Sequence, residues 1–134
     1  MRHVALVAFV GSLLACGGAG AQPRDPGGGP LRVLTGRASY YADSLAGNTT
    51  ANGETYAPRA FTAASRDLAF GTLVRVVRLG PDGGDLASVV VRINDRGPFR
   101  DHRRILDLSR AAAEALDMIR AGVVPIRAEI LSEP

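Results

Sequence analysis

Two carboxylates stand where a folded chain usually places chemistry. The first, Asp95, follows the strand-like run Val89 to Ile93 and precedes Arg96-Gly97-Pro98, which cannot continue a ladder and forces a turn. A rigid element therefore carries the acid to its own exposed end. The second, Glu54, lies one residue beyond the tight-turn signal Asn52-Gly53, again at the edge of an ordered element. A carboxyl so placed can exchange a proton with a bound substrate. An Asp-Arg-Gly segment can equally do no more than cap a turn, and the decision between the two depends on the rest of the chain.

The elements that must position these acids are mostly strands. Leu31 to Tyr41 reads as a first strand with Gly36 as an internal bend, because a glycine inside a strand costs stability unless the backbone needs it. A polar loop, Ala42 to Asn52, follows. Phe61 to Ala64 suits a short strand, and Leu73 to Leu79 a largely buried one. Pro81-Asp82-Gly83-Gly84 has the composition of a hairpin turn and pairs Leu73 to Leu79 with Leu86 to Ile93 in antiparallel fashion. Ile105 to Leu108 returns as a strand, and Ser109 is a good N-cap for a helix over Arg110 to Ile119, with Gly122 available to stop it. Val123 to Leu131 closes the chain as a strand with Ile126, Ala128 and Ile130 on one face. Short strands, one helix and few aromatics favour a mainly β fold closed into a small barrel, since closure removes the edges that a short open sheet exposes.

The chain has 134 residues, enough for one compact domain. All sixteen of its basic residues are Arg, and its formal charge is only +3. Without Arg2 the balance is 15 Arg against 13 acids, or +2, which is no electrostatic footprint for nucleic acid. No cluster of metal ligands and no phosphate-binding loop is present, so neither a metal nor another cofactor is expected. The N-terminus reads as an address. Arg2 and His3 precede the apolar run Val4 to Ala15, too short to span a bilayer and of the right size for an export signal over residues 1–15. Cys16, the single Cys of the chain, follows Leu13-Leu14-Ala15 with the spacing of a bacterial lipobox, so it is expected to be acylated and to hold the protein on a membrane. Residues 16–30, rich in Gly and Pro, read as a tether, and residues 31–134 as the folded domain.

Gly36-Arg37-Ala38-Ser39-Tyr40-Tyr41, Thr50-Ala51-Asn52-Gly53-Glu54, Thr62-Ala63-Ala64, Phe70-Gly71-Thr72, Asn94-Asp95-Arg96-Gly97-Pro98-Phe99 and Asp107-Leu108-Ser109, in that order, resemble the rare lipoprotein A family. The resemblance runs from about residue 36 to 131. It implies a six-stranded double-psi β-barrel with one short α-helix, a fold shared with expansins. It also implies a lytic transglycosylase that cuts peptidoglycan glycan strands, preferably those lacking stem peptides, and leaves 1,6-anhydro-N-acetylmuramic acid ends. The family's acidic pair falls on Glu54 and Asp95. Such a reaction needs one carboxyl to protonate the glycosidic oxygen and then to take the proton of the sugar's 6-hydroxyl as the anhydro ring closes. The second carboxyl can stabilise positive charge at the anomeric carbon. Asp95 is assigned as acid/base and Glu54 as its partner, with the reverse also open. Asn52, Asn94 and Arg96 are flanking candidates for substrate contact.

The chain departs from the family at Ser65, which stands where the resemblance implies His, and a hydroxyl cannot titrate near neutral pH as imidazole does. His102, in the loop after Phe99, is a candidate to fill that gap, although a lone loop His is more often simply solvated. Asp107 is either a further acid at a strand end or an aid to the Ser109 cap. Expected partners are peptidoglycan glycan strands, a membrane through Cys16 and cell-division proteins. The expected protein is an exported monomer, with the outer membrane favoured over the inner because Gly17, not Asp, follows the Cys. The alternative function is a non-catalytic glycan binder, expansin-like or a septal scaffold.

Overall fold

A computed structural model describes residues 20–134; the leader expected over 1–15 and the acylation expected at Cys16 lie outside the described residues. Six strands close into a barrel in the order β1-β5-β2-β4-β3-β6. They are β1 Arg32–Tyr40, β2 Thr62–Ala64, β3 Leu73–Leu79, β4 Asp85–Asp95, β5 Arg104–Leu108 and β6 Val124–Ser132, with the helix α1 Arg110–Ala115 between the last two. β1 pairs with β5, and β2 with β4, in parallel; the remaining neighbours are antiparallel.

Alternation explains the interior. Val89, Val91 and Ile93 of β4, Val74 and Val76 of β3, and Ile126, Ala128 and Ile130 of β6 are all at most 1% exposed, as a period of two demands of strands with one face on a core. Leu106, Leu108, Ala38 and Ala63 belong to the same buried cluster, with Ala112, Ala113, Leu116 and Met118 joining it from the helix and the turn after it. The β3–β4 hairpin forms where composition places it, with the N–H groups of Gly80 and Gly83 closing the turn onto Gly84 and Gly80. Gly36 is required by close approach: a Cβ there would lie 2.8 Å from Ile105 Cγ2 and 3.1 Å from the Arg103 carbonyl.

Two expectations shift. β4 runs on to Asp95 instead of ending at Ile93, because Ala64 of β2 pairs with Asp95 itself. The helix ends at Ala115, not Ile119. Asp117 adopts a left-handed φ of 54°, its N–H reaches the Glu114 carbonyl, and the Met118 N–H reaches Ala113. That pair of bonds terminates a helix, and burial of Met118 anchors the reversal. Residues 20–30 carry no helix or strand, and two of them, Gln22 and Asp25, touch the barrel. The Val90 N–H donates to Gln22 Oε1 at 2.6 Å, and Asp25 pairs with Arg75. β2 is only three residues long and pairs with β4 only from Arg92 onward, so Gln22 satisfies a backbone group that this short neighbour does not reach.

Candidate active site

The end of β4 is where the site is built. Ala63 faces Ile93 and Ala64 faces Asp95, so Asn94 is one residue too many for its partner strand. Such a bulge re-aims the strand. It leaves the Asn94 carbonyl to accept the Asn52 N–H at 3.3 Å, while the Asp95 carbonyl takes the Ser65 N–H at 3.1 Å. The loop of residues 50–54 is thereby fastened beside the strand end. Inside the loop, Gly53 turns at a φ of 94° and its N–H bonds to the Thr50 carbonyl, as the Asn-Gly signal requires.

Asp95 is surrounded by donors. Its Oδ1 accepts the N–H of Ala51 at 2.8 Å and of Arg96 at 2.9 Å, and its Oδ2 accepts the Tyr41 hydroxyl. Tyr41 is buried and stacked on Tyr56, with ring centroids 4.4 Å apart. Burial, reinforced by the charge of Asp95, pushes its phenol far above the ordinary range, so it stays a donor at any working pH. Tyr41, Tyr56, Leu45, Asn48, Thr49, Thr50 and Asp95 line a small cleft of about 130 Å³.

Glu54 is held differently. Arg92 grips it as a fork, Nη1 to Oε2 at 2.7 Å and Nη2 to Oε1 at 3.0 Å, while Asn94 and Asn52 each donate an amide N–H at 3.0 Å. Arg92 first, and then the two amides, lower its carboxyl to about 2. It is therefore ionised at neutral pH and cannot serve there as a proton donor. Both acids are brought to one end of β4: Glu54 through Arg92 and Asn94, Asp95 through the N–H of Ala51 in the Glu54 loop. Glu54 itself does not line the Asp95 cleft.

A third carboxyl stands close by. Burial raises Asp107, partly offset by the Ser39 hydroxyl at 3.0 Å and the positive charge of Arg104, with the negative charge of Asp95 pushing it up further. Ser39 in turn accepts Arg104 Nη1 at 2.7 Å. Asp107 is thus tied to Ser39 and has no bond to the Ser109 cap, whose hydroxyl accepts the Ala112 N–H unaided.

The other candidates separate. Asn52 and Asn94 belong to the site as positioning groups for Glu54. Arg96 does not reach outward: its guanidinium donates to the Ser65 and Leu68 carbonyls at 3.1 and 2.8 Å and lies 3.9 Å over the Phe70 ring. Ser65 is 4% exposed, and its hydroxyl accepts the N–H groups of Asp67 and Leu68, so it shapes a turn behind Asp95. His102 is exposed and forms no side-chain hydrogen bond to either acid; its carbonyl accepts Arg66. Tyr41, Arg92 and Ser39 are the residues that reading for acids alone passes over. Strand alternation contains the signal for one of them, since Arg92 and Asn94 share the face opposite buried Ile93.

A family model described as lytic transglycolase matches residues 33–128. The chain is 51% identical over 98 residues to the probable endolytic peptidoglycan transglycosylase RlpA of Treponema pallidum, covering 73% of this chain and 29% of that protein. It is 44% identical over 96 residues to the endolytic peptidoglycan transglycosylase RlpA of Campylobacter jejuni, covering 72% and 33%. The chain thus spans about a third or less of the length of these curated relatives. Among solved structures, an expansin of Clavibacter michiganensis superposes in its apo form with a TM-score of 0.55 at 29% identity. A mutant of it in complex with cellohexaose superposes with a TM-score of 0.54 at 26% identity, each covering 77% of this chain and 52% of that one. With the family match over most of the closed barrel and with relatives this similar, the chain belongs to the RlpA family of double-psi β-barrel proteins.

Proposed function

We propose that this barrel is a lytic transglycosylase that cleaves peptidoglycan glycan strands, preferably those without stem peptides, and leaves 1,6-anhydro-N-acetylmuramic acid ends. The observation that carries the reading is the division of labour at the end of β4: Asp95 lines a cleft, and Glu54 beside it is clamped in its ionised form. Asp95 protonates the glycosidic oxygen as its bond to the anomeric carbon breaks. The sugar's 6-hydroxyl then closes on that carbon and returns its proton to Asp95, so no water is consumed. Tyr41 and the two backbone N–H groups hold the carboxylate in place between these transfers. Glu54, with its fork to Arg92, supplies fixed negative charge and orientation, which favours Asp95 over Glu54 as acid/base. The protein is exported as a monomer and attached to a membrane by lipid on Cys16, facing the periplasm and on the outer membrane, where it meets cell-wall glycan and cell-division proteins.

One observation favours the silent binder instead. Ser65 stands where the resemblance implies His, and its hydroxyl already serves a turn. The barrel incubated with amidase-treated glycan strands separates the readings by mass spectrometry. Anhydro-ended products support the lyase, reducing ends would reveal a hydrolase, and no product at high enzyme would leave the binder. Asp95→Asn is expected to cut turnover at least about 100-fold while the fold survives, because Tyr41 can rotate to accept from the new amide.

A further inference from the structure

Phe99 is 68% exposed, more than any other large hydrophobic side chain among the described residues and the one aromatic of that group. The other two phenylalanines of the described chain, Phe61 and Phe70, pack against the core. Nothing about the loop demands this exposure. Gly97 and Pro98 are buried, and the Arg66 guanidinium ties the loop down at three points, the carbonyls of Pro98 at 2.6 Å, Arg104 at 2.8 Å and His102 at 3.2 Å. The ring folds back over Gly97, whose φ of 129° excludes other residues and whose missing Cβ would lie 3.6 Å from the ring edge. Gly97 is two peptide units from Asp95, at most about 7 Å of backbone. A flat apolar face therefore stands in water on a loop whose backbone Arg66 ties down, close in the chain to the proton-transfer group.

We propose that Phe99 is the stacking platform on which one pyranose ring of the glycan lies, setting the register of the strand against Asp95. This rests on the glycan-cleaving reading. A sugar's axial C–H face is apolar while its hydroxyls point sideways, so it covers an aromatic ring without leaving polar groups unpaired. A phenylalanine has only two side-chain torsions to lose on being covered, which is why such a residue contributes more than a longer, more mobile aliphatic would.

The chain contains no Trp, so Phe99→Trp installs a single fluorescent reporter at the platform. Titration of purified glycan strands into this variant is expected to give a saturable emission shift, and Phe99→Ala is expected to raise KM about tenfold with kcat nearly unchanged and an unaltered melting temperature. No shift with glycan, while the Asp95→Asn protein still co-sediments with the same strands, overturns the proposal. So does a shift produced by anionic lipid vesicles and not by glycan. Wild-type protein that neither binds nor cleaves the strands instead refutes the underlying function, and this inference with it.

Discussion

Replacing Arg92 by Gln tests how the site is poised. The change removes both arms of the fork on Glu54, at 2.7 and 3.0 Å, and leaves the amides of Asn52 and Asn94 in place. Glu54, held at about 2 chiefly by that guanidinium, should move back up towards its ordinary 4.5. Because the folded value lies below the unfolded one, the stabilisation is complete above pH 4.5 and is lost as pH falls through about 2. The side chains of Arg92 and Glu54 are 38% and 40% exposed, so water screens the pair and about 1 kcal/mol is its expected share of stability. For a domain of this size that is about 4 °C in Tm. The variant should therefore melt about 4 °C below wild type at neutral pH, and the two curves should converge between pH 4.5 and 2. Thermal melts across that range, paired with a carbon-detected titration of the Glu54 carboxyl, measure both effects. A variant carboxyl that still titrates near 2, or a gap in Tm that persists undiminished in acid, refutes the assignment of Arg92 as the group that keeps Glu54 charged.

Tyr41→Phe removes the hydroxyl donor on Asp95 while keeping the ring on Tyr56; kcat for anhydro-product release should fall about tenfold with KM within twofold, and an unchanged kcat would remove Tyr41 from the mechanism. Gly36→Ala should cost about 2 kcal/mol in urea unfolding, because the new methyl meets Ile105 and the Arg103 carbonyl; adding Ile105→Ala should recover part of the loss, so that the double variant is less damaged than the sum. Asp117→Gly should stabilise the protein by about 1 kcal/mol, read as a rise in Tm, since glycine takes the left-handed φ of 54° without penalty and the exposed Asp117 side chain holds no hydrogen bond.

Much of the barrel was legible because its strands follow a strict period. Leu73 to Leu79 appears with its expected bounds, and Ile126, Ala128 and Ile130 share the buried face that alternation assigns them. The helix is shorter than its apolar spacing suggests for a local reason. Its apolar spacing continues through Leu116 and Ile119, but an aspartate in a left-handed turn is no part of a hydrophobic pattern, and burial of Met118 outweighs the longer helix. At the site, acids at element ends were readable, whereas what holds them was not. In a chain whose every basic residue is Arg, Arg92 looks like solvated surface, and Arg96, adjacent to Asp95 in sequence, turns the other way onto Phe70. Only the folded register shows which guanidinium meets a carboxylate and which meets carbonyls.

The seating of Gln22 on Val90 and of Asp25 on Arg75 bears on the attachment proposed through Cys16. If all of residues 16–30 were slack, the barrel could stand off from a lipid at Cys16 by the contour of some fifteen residues, about 50 Å. With Gln22 docked, the leash shortens to six steps, about 20 Å. On the proposed acylation of Cys16, the barrel would then stay within about 20 Å of the bilayer and meet only the innermost layer of wall, a restriction in depth imposed by one glutamine on a strand edge.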